Sequence, residues 1–335
     1  MTIKRYDDQS KDRVVWRNYD ATGRDLHVDV PMSRAIMEYQ TAGLVGEFIF
    51  NVVPVPKQSN MIPSFPLGEF VRAEHGFERA PGTDAQRVYF DVGSTSYFCK
   101  NYAARYPLTI EDQENADGIW DLRENGGRLC ADVLRIRKEL RVFNTVNSTS
   151  NVSTAFLPAS AWNVGGDPIR NIIAIQNQIQ DVSGQRPNRV VFGHAAWRAT
   201  LTNSNVRGLL FPHGGGIPST TQVGQVLDAE VRVAAGYYNT GGLGNTASLT
   251  KFFNDRVLVF FGAEGSLGPS PRYAATLRWT KAGIPAMTVE ALPFDAQKKV
   301  NFVEVGVYDD EKVLNTALAA TLIGVNSSQA NGIVG

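Results

Sequence analysis

The chain has 335 residues, and its 33 Lys plus Arg balance 33 Asp plus Glu, so the net charge is zero. A protein that binds nucleic acid by neutralising phosphates is basic overall, and this one is not. A hydrophobic content of 43% is enough for a large core, in two domains or one elaborate one, and a near-neutral surface permits dense self-association.

Residues 1–16 contain no apolar segment of the kind that marks a signal peptide. The longest apolar runs, Val257 to Ala263 and Ala317 to Val325, are far short of a membrane span. The expectation is a soluble protein, intracellular when made and without a membrane partner. Cys99 and Cys130 show no C-x-x-C or metal spacing and read as reduced, buried small hydrophobes.

In chain order, residues 1–46 are polar and mixed, with one short helix over 30–39 that has Pro31 near its start. They read as an extended arm. Glu47 to Pro56, Phe65 to Arg72 and Arg87 to Cys99 are strand-like. The last two flank a charged stretch with a Pro81-Gly82 turn signal, which predicts a long β-hairpin. A two-stranded hairpin is marginal alone in water and needs a partner surface.

Thr109 to Val146 is the stretch the rest leans on. Thr109 with Asp112 reads as a capping box for a lead-in helix. Asp117 is a candidate cap for a main helix over 118–144, about 40 Å long at 1.5 Å per residue. Ile119, Leu122, Gly126, Leu129, Val133, Ile136, Leu140 and Phe143 recur at steps of three and four and predict one apolar side. Gly126-Gly127 predicts a bend or a close packing contact there.

Asn147 to Asn151 is a loop. Asp167 as cap, Pro168 as first residue and Gly184 as stop bound a helix whose apolar face is Ile169, Ile172, Ile173, Ile175, Ile179 and Val182. A buried strand over Arg189 to Phe192 and a short helix from His194 to Thr202 follow. Residues 212–226 read as a loop, and Glu230 to Tyr237 and Arg256 to Phe261 as strands. From Tyr273 the pattern is β, with a turn at Asp309 to Lys312 and a small-apolar run to Val325. The class is α+β.

Three motifs invite an enzyme reading. Pro212-His213-Gly214-Gly215-Gly216 matches an esterase oxyanion loop, but no histidine follows Ser266 of the imperfect elbow Glu264 to Gly268, so the general base is missing. Gly242 to Ala247 fits G-x-G-x-x-A with Glu264 twenty residues beyond Gly244, the outline of a dinucleotide site. The segment after it is too short and poorly patterned for a crossover helix, and a hairpin turn explains it better. Glu111, Asp112, Glu114 and Asp117 suit a helix start more than a metal, since no histidine joins them. No catalytic, cofactor or metal residue is assigned.

Several segments together resemble the major capsid proteins of tailed bacteriophages, with the Hong Kong ninety-seven type shell fold that encapsulin nanocompartments share. They are His27 to Pro31, the strand entry at Gly46 to Ser59, the hairpin stretch at Arg79 to Gly82, the acidic Thr109 to Gly118, and above all Trp162 to Leu210. The last runs helix, Pro187-Asn188, strand, short helix and an Asn203-x-x-Val206 phrase. The resemblance implies an N-terminal arm (1–46), an extended loop that lies across a neighbouring subunit (47–105), and a peripheral domain with a spine helix (106–160 and 276–335). It also implies an axial domain (161–275).

The function so implied is a structural subunit that self-assembles through pentamers and hexamers into an icosahedral head, the virion shell, around double-stranded DNA held non-specifically. Assembly would take place in the bacterial host cytoplasm, with portal, scaffolding and decoration proteins as further candidate partners. Phe65, Phe70 and Arg72 are candidate inter-subunit contacts. The alternatives are an encapsulin-like container and a dinucleotide-binding enzyme.

Overall fold

The computed structural model describes residues 29, 31–33, 36, 43–64, 78–85, 87, 92–115, 121–153, 155–214, 216–241, 246–265, 267–268, 271–280, 286–295, 297 and 299–326. Two compact units result. One comprises residues 1–40, 100–135 and 279–308; the other comprises 41–99, 136–278 and 309–335. A helix, Leu122–Asn147, and a strand, Val300–Val313, each run through both.

In the first unit, Met287–Ala291 pairs antiparallel with residues 303–307 of the long strand, and Lys100–Thr109 pairs with that strand as well. The strand Lys100–Thr109 falls in a stretch to which the sequence analysis assigns no element. Tyr102, Ala104, Tyr106 and Leu108 alternate with the exposed Asn101, Ala103, Arg105 and Pro107, and all four line the core with Ile36, Leu134, Val289 and Val303. Pro31 and the two residues after it are helical, and Asp29 accepts the Met32 N–H at 3.1 Å, as the sequence predicts for a short helix there.

The lead-in helix is Ile110–Asn115, and Thr109 Oγ1 accepts the Asp112 N–H at 3.0 Å. The long helix starts at Leu122, later than expected. Its cap is Asp121, which accepts from Arg123 and Glu124 N–H at 2.9 and 3.0 Å; Asp117 and Ile119 lie outside the described residues. Its buried side also differs from the predicted stripe. Gly126, Gly127, Cys130, Ala131, Leu134, Lys138, Glu139, Val142 and Val146 face inward, whereas Leu129 and Val133 are 53% and 45% exposed. The reason is close approach. A Cβ on Gly126 would sit 2.5 Å from the Tyr106 ring, and one on Gly127 2.6 Å from Ile36 Cδ1. Small residues let the helix lie against its neighbours, so the larger Leu129 and Val133 stay outside.

The second unit is built on a five-stranded sheet. Its order is Ala155–Phe156, Ala319–Ile323, Arg256–Phe260, Arg189–Gly193, Glu230–Ala234. Side chains alternate to two cores. Val190, Phe192, Val257, Val259, Ala320 and Leu322 pack with Ile169, Ile172, Ile175 and Ile179 of the helix Pro168–Ser183. Val191, Leu258, Phe260 and Ala319 pack on the other face with Phe48, Phe50, Val142, Phe252 and Tyr273. Both faces are covered, which is why Arg189–Gly193 reads as an unbroken buried run and not an alternating one.

The helix Pro168–Ser183 has the predicted ends. Asp167 accepts the Arg170 N–H at 3.1 Å, and Gly184 closes it at φ 69°. Val182, assigned to the buried face, is exposed. Helices His194–Thr202 and Ser204–Leu210 follow. The 212–226 loop is corrected at its end: Thr220–Leu227 is a helix with a full capping box between Ser219 and Gln222. The S-x-x-Q spacing announces it. Glu47 to Pro56 is also corrected, because Gly46–Ile49 forms a helical turn before the strand Asn51–Val55. A further difference concerns the C-terminal third: Asp309 to Lys312, read as a turn, continues the strand Val300–Val313. Beyond it, Ala319–Ile323 pairs with Arg256–Phe260.

The hairpin exists as an antiparallel ladder of Ser59–Ser64 with Gly93–Phe98. The expected first strand, Phe65 to Arg72, lies outside the described residues. Cys99 and Cys130 are buried thiols, outside any disulfide.

Candidate functional site

The ladder is a two-stranded ribbon with two unlike faces. Register places Ile62, Thr95 and Tyr97 on one face and Met61, Pro63, Ser96 and Phe98 on the other. Ile62 and Tyr97 are buried, whereas Met61 is 67% and Phe98 54% exposed. Met61 and Phe98 are diagonal neighbours across the ladder, within reach of one another on the open face. No partner for that face exists within the chain's described residues.

The root of the ribbon is held firmly. Cys99 N–H donates to the Gln58 carbonyl at 2.8 Å, and Gln58 Nε2 returns a bond to the Cys99 carbonyl at 3.2 Å. Tyr97 Oη donates to the Lys57 carbonyl at 3.1 Å. Phe98 N–H donates to Asp310 Oδ2 at 3.0 Å, and Lys312 Nζ donates to the Ser96 carbonyl. The Cys99 thiol donates to the Leu277 carbonyl at 3.3 Å. The acidic run misread as a turn is thus the socket of the ribbon.

Beside this socket lies a buried charge cluster. Asp309 is fully buried, and both of its oxygens accept from Arg278, at 2.7 and 2.8 Å. Lys138 Nζ lies 3.6 Å from Asp309 and 2.8 Å from Glu47, whose carboxylate also takes Arg278 at 3.3 Å. Burial alone would raise the Glu47 carboxyl, but Lys138 and Arg278 overcome it and hold the group down at about 2. Burial likewise opposes ionisation of Asp309, and Arg278 and Lys138 keep its carboxyl below the usual range.

Glu139 behaves oppositely. Its two oxygens accept the Val45 and Gly46 N–H at 3.0 and 2.6 Å, yet burial outweighs these bonds and pushes its carboxyl up. These bonds explain the helical turn at Gly46–Ile49, because a carboxylate from far along the chain caps its free amides. Arg141 completes the row with a two-nitrogen grip on Glu311, at 2.6 to 3.2 Å.

Phe65, Phe70 and Arg72 lie outside the described residues. The sequence reading missed Met61, Phe98, Lys138, Arg278 and Asp309. A lone charged residue in an apolar pattern is a weak signal, although Arg278 within Ala274–Trp279 stands out as a charge in an otherwise strand-like run.

Gly242 to Ala247 comes in sequence between the paired antiparallel strands Tyr237–Asn239 and Leu249–Lys251, where a dinucleotide fingerprint needs a strand followed by a helix; Gly242 to Asn245 themselves lie outside the described residues. Glu264, its supposed ribose ligand, pairs with Arg189 at 2.8 Å. Among the described residues no three His, Cys, Asp or Glu side chains gather as a metal site, and no helix is long and apolar enough to cross a membrane.

Taken together, the long helix, the ribbon and the two-faced sheet define a phage capsid shell fold. The chain is similar to a phage-related protein from Bordetella bronchiseptica RB50, with a TM-score of 0.70 at 16% identity over 90% of this chain and 98% of that one. It is similar to the capsid structure of the cyanophage P-SCSP1u, with a TM-score of 0.56 at 13% identity over 87% and 91%. In sequence it is 26% identical over 178 residues to the major capsid protein of Burkholderia phage BcepMu, a match spanning 51% of this chain and 56% of that one. The chain therefore matches about half the length of this curated relative. No protein-family profile matches it. The resemblance to tailed-phage capsid proteins read from the sequence is borne out.

Proposed function

We propose that this chain is the major capsid protein of a tailed phage, a structural subunit that self-assembles through pentamers and hexamers into an icosahedral head enclosing double-stranded DNA. The carrying observation is that likeness to a phage capsid structure extends over 87% of the chain at a TM-score of 0.56. The relative named as a major capsid protein supports the same reading. A subunit with an open apolar ribbon face gains from closed symmetric assembly, which buries that face repeatedly. Its work is mechanical, without a catalytic step. Neutral net charge suits an inner wall that tolerates DNA and does not grip it.

The same reading assigns residues 1–46 to an arm, 47–105 to the extended loop, 106–160 and 276–335 to the peripheral domain and 161–275 to the axial domain. Within 276–335, the strand Ala319–Ile323 pairs with Arg256–Phe260 of the proposed axial part. Met61 and Phe98 join Phe65, Phe70 and Arg72 as proposed inter-subunit contacts. The subunit would be made in the bacterial cytoplasm and end in the virion, beside portal, scaffolding and decoration proteins.

Electron microscopy of the purified protein tests this. Closed shells with nuclease-protected DNA support it, and closed shells loaded with a protein cargo favour an encapsulin-like container. Met61→Ser combined with Phe98→Ser is expected to keep the circular dichroism of the wild type while lowering the yield of shells.

A further inference from the structure

Leu129 and Val133 form an exposed apolar pair on one face of the long helix, four residues apart and therefore adjacent. Of the charges around them, Arg128 pairs with Glu124 at 2.6 Å and Asp132 with Arg135 at 3.8 Å, while Arg137 stands exposed one turn beyond Val133. Between these charges the face offers apolar surface.

The path of the chain says what covers it. Asp29 is fixed at the first turn of the same helix. Its N–H donates to the Val289 carbonyl at 3.0 Å, and its carboxylate takes Arg123 Nη2 at 3.1 Å. Residues 1–28, outside the described residues, all attach at that point. At 1.5 Å per residue, Leu129 lies about 9 Å and Val133 about 15 Å beyond Arg123 along the helix axis. Val14-Val15-Trp16 is the single run of three consecutive apolar residues in the 28 before Asp29, bracketed by Arg13 and Arg17. The thirteen residues from Trp16 to Asp29 reach at most roughly 45 Å, well beyond what is needed.

We propose that Val14-Val15-Trp16 docks on the Leu129–Val133 face of its own chain. Docking within one chain is favoured because a short tether holds the segment at an effective concentration on the order of millimolar. The inference goes beyond the assembly reading and does not rest on it.

Oxidative crosslinking of the full chain tests it, in a Cys130→Ala background that removes the neighbouring thiol. Val14→Cys with Leu129→Cys should form a disulfide within one chain, visible as a faster band on a non-reducing gel. The rate should be about tenfold above that of Val14→Cys with Glu114→Cys, an exposed position on Ile110–Asn115, given the local concentration that docking adds. Adding Trp16→Ser should remove most of that advantage while both introduced thiols remain in place. Absence of the intrachain band, a rate equal to the Glu114→Cys control, insensitivity to Trp16→Ser, or crosslinks only between chains would each overturn the proposal; the last would assign the face to a second copy.

Discussion

Arg278 and Asp309 stand opposite each other on adjacent antiparallel strands, and the buried carboxylate takes both of its close hydrogen bonds from that one guanidinium, at 2.7 and 2.8 Å. The pair converts a run that looks like a turn into the interior of a strand. Breaking it by Asp309→Asn strands a buried guanidinium, for which Glu47 is a weak substitute because its side chain is 62% exposed. Chemical denaturation at neutral pH should show a loss of about 3–5 kcal/mol. Replacing both partners, as Arg278→Met with Asp309→Leu, should recover most of it. A single variant within about 1 kcal/mol of wild type would show that the pair contributes little.

Acid should expose the same cluster. Glu47 and Asp309 have carboxyls held below their ordinary values of 4.5 and 3.8, so their stabilisation is present above those values and fades as pH falls, for Glu47 toward about 2. Asp309 carries more of the effect, since solvent screens the exposed Glu47. Glu139 has the opposite sign. Its carboxyl is raised above 4.5, so its contribution is whole below that value and is lost as pH rises through the raised value. Denaturation midpoints measured across pH should fall at the acid end in wild type, less so in Asp309→Asn. On the other side, Glu139→Gln should flatten the decline above pH 4.5 that wild type shows.

Gly126 and Gly127 give a steric test. In an open helix Gly→Ala would stabilise by up to about 1 kcal/mol. At Gly126 the new methyl meets the Tyr106 ring as close as 2.5 Å and the Tyr106 Cβ at 3.2 Å, so Gly126→Ala should lower stability by about 1–3 kcal/mol. At Gly127 it meets only the ends of the Ile36 and Met32 side chains, which can give way, so Gly127→Ala should cost less. A Gly126→Ala variant that melts higher than wild type would refute the close approach.

Asn203 is a four-way connector. Its Oδ1 accepts from Asn205 and Val206 N–H, and its Nδ2 donates to the Trp162 and Gly166 carbonyls at 2.8 and 2.7 Å. Asn203→Ala leaves buried groups unpaired and should cost about 2–4 kcal/mol, while Asn203→Asp keeps the cap and loses the donations. Hydrogen exchange should rise at Asn205 and Val206 in the alanine variant and much less in the aspartate one.

Local signals were legible where the physics is local. Asp167, Pro168 and Gly184 bound their helix as written, and the run Arg189 to Phe192 declared a buried strand. Ser219 and Gln222 were equally readable and were passed over. What could not be read depends on distant partners. Gly46–Ile49 is helical because Glu139, ninety-three residues away from Gly46, caps it. Asp309 and Asp310 sit in a strand because Arg278 and Phe98 take their oxygens. The inner side of the long helix departs from the stripe the spacing predicts because Gly127, Cys130 and Ala131, small residues outside that stripe, lie inward with Gly126 while Leu129 and Val133 stay exposed. For the candidate site, the ribbon was foreseen but its open face was not, because Met61 and Phe98 belong together only through the ladder register.

The central claim is that copies of this chain close into a shell. Negative-stain electron microscopy of the purified full-length protein, over a range of concentration and salt, tests it most directly. The account predicts closed, uniform particles with pentamers and hexamers in the wall. A protein that stays monomeric under every condition, with Met61 and Phe98 open to solvent, would contradict it.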